Sequence, residues 1–114
     1  LAEARKYRLN MNIANQFIKQ LNEKIRDAVF GNVGSMAVFR VGADDAEFLK
    51  NQFEPVFTPQ DLLNIDNFNC YVKLLINNQT TRPFNIKIDP PPKDDRMLAA
   101  QVKEMSRLKY SVPN

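Results

Sequence analysis

Arg5 and Gln16 stand eleven residues apart and have the side chains to act on a phosphate. An arginine is always charged, and its planar fork of N–H donors matches phosphate oxygens. A glutamine offers one carbonyl acceptor and two N–H donors, enough to orient a water or sense a phosphate. Arg5 falls on a helix-forming stretch and Gln16 just past a short alternating one, the kind of strand end where open α/β sheets hold ligands. The plain alternative is a solvated arginine and a polar helix start. Arg40 closes an apolar run and is followed by Gly42 and Asp44-Asp45. A charge at such a place needs a partner. A salt bridge to Asp44 or Asp45 would supply one, and contact with a nucleotide or a neighbouring subunit is the other reading. The two aspartates read either as a magnesium pair or as acids at a helix start, and the second role needs no metal.

Other candidates are weaker. Arg96, Lys103 and Arg107 recur at near-helical spacing opposite Met97 and Leu98, with Lys93 and Lys109 nearby. They read as a salt-dependent stripe for DNA phosphates or as the solvated face of a helix. Gly31-Asn32-Val33-Gly34 fails as a phosphate loop, because no Gly-Lys-Ser/Thr follows it and it precedes a strand. Its plainer reading is a helix cap, with Gly31 as the left-handed C′ residue, and a tight turn. Cys70 and the three serines have no base near them in pattern, so no nucleophile stands out.

Composition removes whole classes of chemistry. The 114 residues include no histidine, which excludes His-based triads, His general bases and almost every zinc site. One cysteine cannot form an internal disulfide, which suits a reducing, cytoplasmic setting. No apolar run approaches the ~20 residues of a membrane span, and no leader pattern opens the chain. Sixteen basic against thirteen acidic residues give a net charge of +3, which permits a nucleic-acid partner without requiring one.

The elements that must position these residues follow from periodicity. Residues 1–7 are helix formers without a cap and read as the tail of a longer helix. Leu9, Met11 and Ile13 alternate, predicting a strand over 8–14. Helical spacing over Gln16–Phe30 and a buried strand over Met36–Val41, of the type found in parallel sheets, come next. Ala46, Leu49 and Phe53 mark a helix, and Thr58-Pro59-Gln60-Asp61 starts a brief second one. Phe68–Ile76 and Phe84–Ile88 alternate around a polar link and predict an antiparallel hairpin. Pro90-Pro91-Pro92 breaks the chain before a last amphipathic helix. The order predicts an α/β sheet with flanking helices and an antiparallel edge hairpin.

The stretch EARKYRLNMNIANQFIKQLNEKIRDAVFGNVGSMAVFRVGADDAEFL, continued by FNCYVKLLINNQTTRPFNIKIDPPP, resembles the C-terminal part of the motor domain of TraG/TraD-like coupling proteins of type IV secretion. These are hexameric, DNA-translocating P-loop ATPases of the FtsK–HerA superfamily. The resemblance is specific from Glu3 to Leu49 and weaker beyond. It implies a RecA-like ATPase core portion over residues 1–92 and a basic helix and tail over 93–114. It implies that Arg5, with Arg8 as the alternative, faces a neighbouring subunit's nucleotide, that Gln16 is the sensor glutamine, and that Arg40 lies near the subunit contact. Its implied partners are the remainder of the ATPase domain, ring neighbours and DNA, with the parent possibly anchored at the inner membrane face. The sequence has no Gly-x-x-x-x-Gly-Lys-Ser/Thr loop and no apolar strand ending in Asp-Glu, so ATP and Mg are expected in the parent assembly and not on this chain alone. A small nucleic-acid-binding or interaction domain without catalysis is the rival expectation.

Overall fold

The structure is a computed structural model that describes residues 4–111. After a short 3-10 turn at Ala4–Tyr7 and another at Ile18–Gln20, the chain forms α1 (Glu23–Asn32), β1 (Met36–Val38), α2 (Ala43–Phe53) and α3 (Pro59–Leu63). It continues through β2 (Asn69–Lys73), β3 (Leu75–Ile76), β4 (Gln79–Thr80) and β5 (Phe84–Lys87), and ends in α4 (Arg96–Tyr110). The fold is mixed α/β around a small sheet of order β1-β2-β5, both pairings antiparallel.

Local signals explain most of these elements. Asn22 starts α1 because its Oδ1 accepts the Ile25 amide at 2.9 Å, a later start than the apolar spacing from Gln16 predicts. Gly31 lies inside α1 with no positive φ, so it is not the left-handed cap expected of it. At α3, Thr58 and Asp61 form the full reciprocal capping box that the Thr-Pro-x-Asp spacing predicts. The antiparallel pairing of β2 with β5 is as predicted, with Cys70 opposite Ile86 and Val72 opposite Phe84, but the first strand ends at Lys73 rather than Ile76. Leu75–Ile76, expected to continue that strand, instead pair with Gln79–Thr80 of the polar link in a second small hairpin, β3–β4, turned by Asn77 and Asn78 at φ 50° and 62°. Two left-handed residues are what a two-residue hairpin loop demands, and asparagine tolerates them.

Two expectations are corrected. The run Met36–Val41 is not a parallel strand buried on both faces: β1 is three residues long, antiparallel, and only Val38 of it is buried. Residues 8–14 form no strand. Arg8 sits at φ 54°, turning the chain out of extended geometry, and Leu9–Ile13 find no ladder partner for their amides.

The core lies between one sheet face and the helices. Val38 packs there with Ala46, Leu49 and Phe53 of α2, with Leu62 of α3, and with Ile65. The apolar triplet of α2 is the one its 3–4 spacing predicts. Phe57 stacks on Tyr71 with ring centroids 3.7 Å apart, which ties the segment before α3 to the sheet.

The capping box gives a pH prediction. Hydrogen bonds from the Thr58 amide and then its hydroxyl hold the Asp61 carboxyl below its ordinary value of 3.8. A depressed folded-state value stabilises above the unfolded value and is lost as pH falls through the folded one. Separately, loss of the N-cap hydroxyl in Thr58→Ala costs about 1 kcal/mol at neutral pH. The urea-unfolding gap between Asp61→Asn and the parent should begin to narrow as pH falls to about 4, the unfolded carboxyl range, and close only below the lower folded value. A gap that widens on acidification contradicts the assignment.

Candidate functional site

A cleft of about 450 Å³ opens between the segment Met11–Gln16 and β1. One wall carries Met11, Asn12, Ile13, Asn15 and Gln16, and the other runs from Ser35 through Val41. Val29 and Phe30 of α1 and Leu49 of α2 close its inner end. Gln16 and Arg40, two residues marked from sequence, line this same cleft, and both are exposed. Arg8 lines a second cleft of about 460 Å³ with Asn10, Asn12, Asn32 and Asn78. Arg5 lies in the Ala4–Tyr7 turn, and its side chain falls outside the described residues.

The wall bearing Gln16 is held by the two acids of α2. Asp45 is only 6% exposed, and its Oδ2 accepts the Ile18 amide at 3.2 Å. Asp44 accepts from Lys19 Nζ at 2.6 Å. That bond and the opposite charge raise the Lys19 value and lower that of Asp44. Asn15 Nδ2 donates to the Phe17 carbonyl at 2.7 Å and so fixes the turn after Gln16. Both aspartates thus have partners on the Ile18–Gln20 turn. This decides against one of the two readings left open for each group. They are not free for a cation, and neither pairs with Arg40. The guanidinium of Arg40 donates instead to Asn67 Oδ1 at 3.2 Å on the solvent side. Nothing in the sequence pointed to Asn67, which lies 27 residues further on.

The helix α4 places Arg96, Lys103 and Arg107 together along one exposed side. Arg107 is engaged by Glu104 through two hydrogen bonds of 3.0 and 2.7 Å, which hold its fork along the helix surface. Arg96 and Lys103 make no such bond among the described contacts.

The donor set defines what the cleft can do. Its polar groups are amides, the Ser35 hydroxyl and the Arg40 guanidinium, apart from the engaged Asp45. Such a set can bind an anion or an amide but has no general base. Among the described residues no three His, Cys, Asp or Glu side chains gather into a metal site. The residues present therefore do not fit a magnesium centre. Comparison with known protein families, curated proteins and solved structures finds no match to this chain. Among the described residues no helix is long and apolar enough to cross a membrane.

Proposed function

We propose that this chain is the C-terminal part of a RecA-like, DNA-translocating ATPase of the type IV secretion coupling class. The observation that carries the reading is the unpaired segment before Gln16. Leu9, Met11 and Ile13 alternate as a strand would, yet they are 47–58% exposed beside the outer edge of β1. We read this period-two apolar segment beside an open sheet edge as one that joins the sheet only when further strands are present. The ATP-binding half of such a motor would provide them. Gln16 then stands at the end of a sheet strand, in the cleft it shares with Arg40, where a change in a bound γ-phosphate could be passed to the sheet.

In this reading the chain holds no nucleotide. ATP and Mg belong to the other half of the motor, which brings a phosphate loop and a strand ending in Asp-Glu. Arg5, or Arg8 in its place, reaches the triphosphate of the next subunit in a hexameric ring around DNA, and Arg40 lies near that contact. The work is done in the cytoplasm.

The coding sequence upstream of Leu1 is the most direct test. The expected finding is a Gly-x-x-x-x-Gly-Lys-Ser/Thr loop, followed by an apolar strand ending in Asp-Glu and then by Leu1 in frame. A reading frame that reaches Leu1 without either element overturns the proposal.

A further inference from the structure

Every residue of α4 is exposed, yet the helix sorts its side chains by kind. Successive residues turn by about 100° around a helix, so Met97, Leu98, Val102, Met105 and Leu108 fall within an arc of about 140°. They are 55–76% exposed. Arg96, Lys103 and Arg107 lie on the opposite side, within about 40° of one another. Over 15 residues α4 holds four basic side chains against one acid, Glu104. Such a division, with lysine and arginine on the polar side, suits a boundary between water and hydrocarbon.

The residues discriminate among partners. DNA would take the basic side and leave five apolar side chains in water. A dry groove in a protein would cover the stripe, but Gln101 and Lys109 project from within the same arc. Buried in a groove, an amide without a partner is costly, and an ammonium is costlier. At the headgroup level of a bilayer both meet water and phosphate. Lys109 Nζ lies 5.2 Å from the ring centroid of Tyr110 at the end of the helix. A long basic stem beside a tyrosine, apolar along its length and wet at its tip, belongs at that level. Glu104, at the edge of the arc, is engaged by Arg107 through two hydrogen bonds, so it presents no free charge to an anionic surface.

Depth agrees as well. A helix is about 10 Å across, and one lying in an interface sinks about 5–10 Å. Arg96, Lys103 and Arg107 then stand near the phosphates, within the ~8–10 Å over which salt leaves charges in touch. At 15 residues α4 is too short to cross a bilayer. We infer that α4 lies flat on the surface of a negatively charged lipid bilayer, its apolar stripe sunk below the headgroups and its basic side level with them.

The connection leaves the helix free to lie there. From Ile88 to Asp95 the backbone makes no turn, bend or positive-φ excursion. Pro90, Pro91 and Pro92 fix φ and remove three donors, so this stretch stays extended and spans roughly 20 Å. The radius of gyration is accordingly 18.7 Å, against about 13 Å for a compact domain of this length. The inference goes beyond the motor reading and needs no nucleotide. It is compatible with a ring, because cyclic symmetry turns the same helix of every copy toward one plane.

Each basic residue near an anionic bilayer contributes about fivefold to binding. The 114-residue chain should therefore co-sediment with vesicles of mixed phosphatidylcholine and phosphatidylglycerol roughly tenfold better, or more, than with phosphatidylcholine alone. Leu98→Glu with Met105→Glu should weaken that binding by roughly tenfold or more, and so should Lys103→Glu with Arg107→Glu. No binding, binding indifferent to lipid charge, or binding that survives the Leu98 and Met105 changes overturns the inference. Capture of duplex DNA by a chain that ignores the vesicles overturns it in favour of a nucleic-acid contact. A second measurement reads depth directly and uses the buried position of Cys70, which is replaced by serine. A polarity-sensitive fluorophore on Met105→Cys in the Cys70→Ser background should shift to the blue with the anionic vesicles, and one on Lys103→Cys much less. Equal shifts at the two positions, or none, refute the flat placement.

Discussion

On the proposed motor reading, replacing Arg5 by alanine in the parent protein should lower DNA-stimulated ATP turnover by about 10³- to 10⁵-fold. The size follows from the work a trans arginine does. The transferred phosphoryl group spreads negative charge over its equatorial oxygens, and little covalent chemistry is left for the protein beyond placing positive charge there. Lysine should rescue poorly, since a point charge replaces a planar fork. Gln16→Ala should remove activity by a different route, leaving nucleotide affinity near normal while turnover ceases to respond to DNA. The assembly state of the parent protein should be unchanged in both variants, as seen by sedimentation. Arg8→Ala is the internal comparison, because Arg8 faces a separate cleft. Near-normal turnover in Arg5→Ala together with loss in Arg8→Ala would move the trans role to Arg8. Near-normal turnover in all three variants would remove it from this segment.

Phe53→Ala should destabilise the fold by about 3–5 kcal/mol, the usual loss for a fully buried phenylalanine. Phe53 is 0% exposed, is the largest fully buried side chain, and shares one core cluster with Val38, Leu49, Leu62 and Ile65. Its removal loses the transfer free energy of the ring and leaves a void the surrounding Leu49, Leu62 and Ile65 cannot fill without leaving their rotamers. Domains of this size hold only about 5–15 kcal/mol, so the variant should be partly unfolded at 37 °C. Phe48→Ala, five residues earlier on the same helix and more than a third exposed, should cost distinctly less. Urea midpoints compared across the three proteins decide it, and equal losses at the two positions would contradict the assigned core.

What could be read from sequence was local. Ala46, Leu49 and Phe53 repeat at helical spacing, and that alone placed the face of α2. Thr58 and Asp61 satisfy each other within one turn, so their pattern holds wherever α3 sits. The β2–β5 hairpin was legible because alternation on both sides of a short link needs no distant partner. Pairing over distance was not legible. Met36–Val41 is apolar enough for a buried parallel strand, but strand direction is set by the neighbour, and β2 runs the other way. The partner of Arg40 was assigned by proximity to Asp44 and Asp45. Those acids are drawn to Ile18 and Lys19 instead. Segment 8–14 has the periodicity of a strand but pairs with none, and no property of its own residues reports that. Even Asn77-Asn78, whose tolerance of left-handed backbone marks a tight turn, reads as mere polar link until Leu75 and Ile76 are seen to pair with Thr80 and Gln79.

The anchoring of the turn after Gln16 sets where that glutamine goes when the molecule moves. Residues 9–13 give it no ladder, while one amide and one ammonium fasten the adjoining turn to carboxylates 27 and 25 positions later in the chain. A tilt of α2 therefore drags the glutamine along like a rudder on its tiller, even if β1 and its partners stay still. Its position is thus governed by a helix downstream of it, and the strand-like residues just upstream have little hold on it.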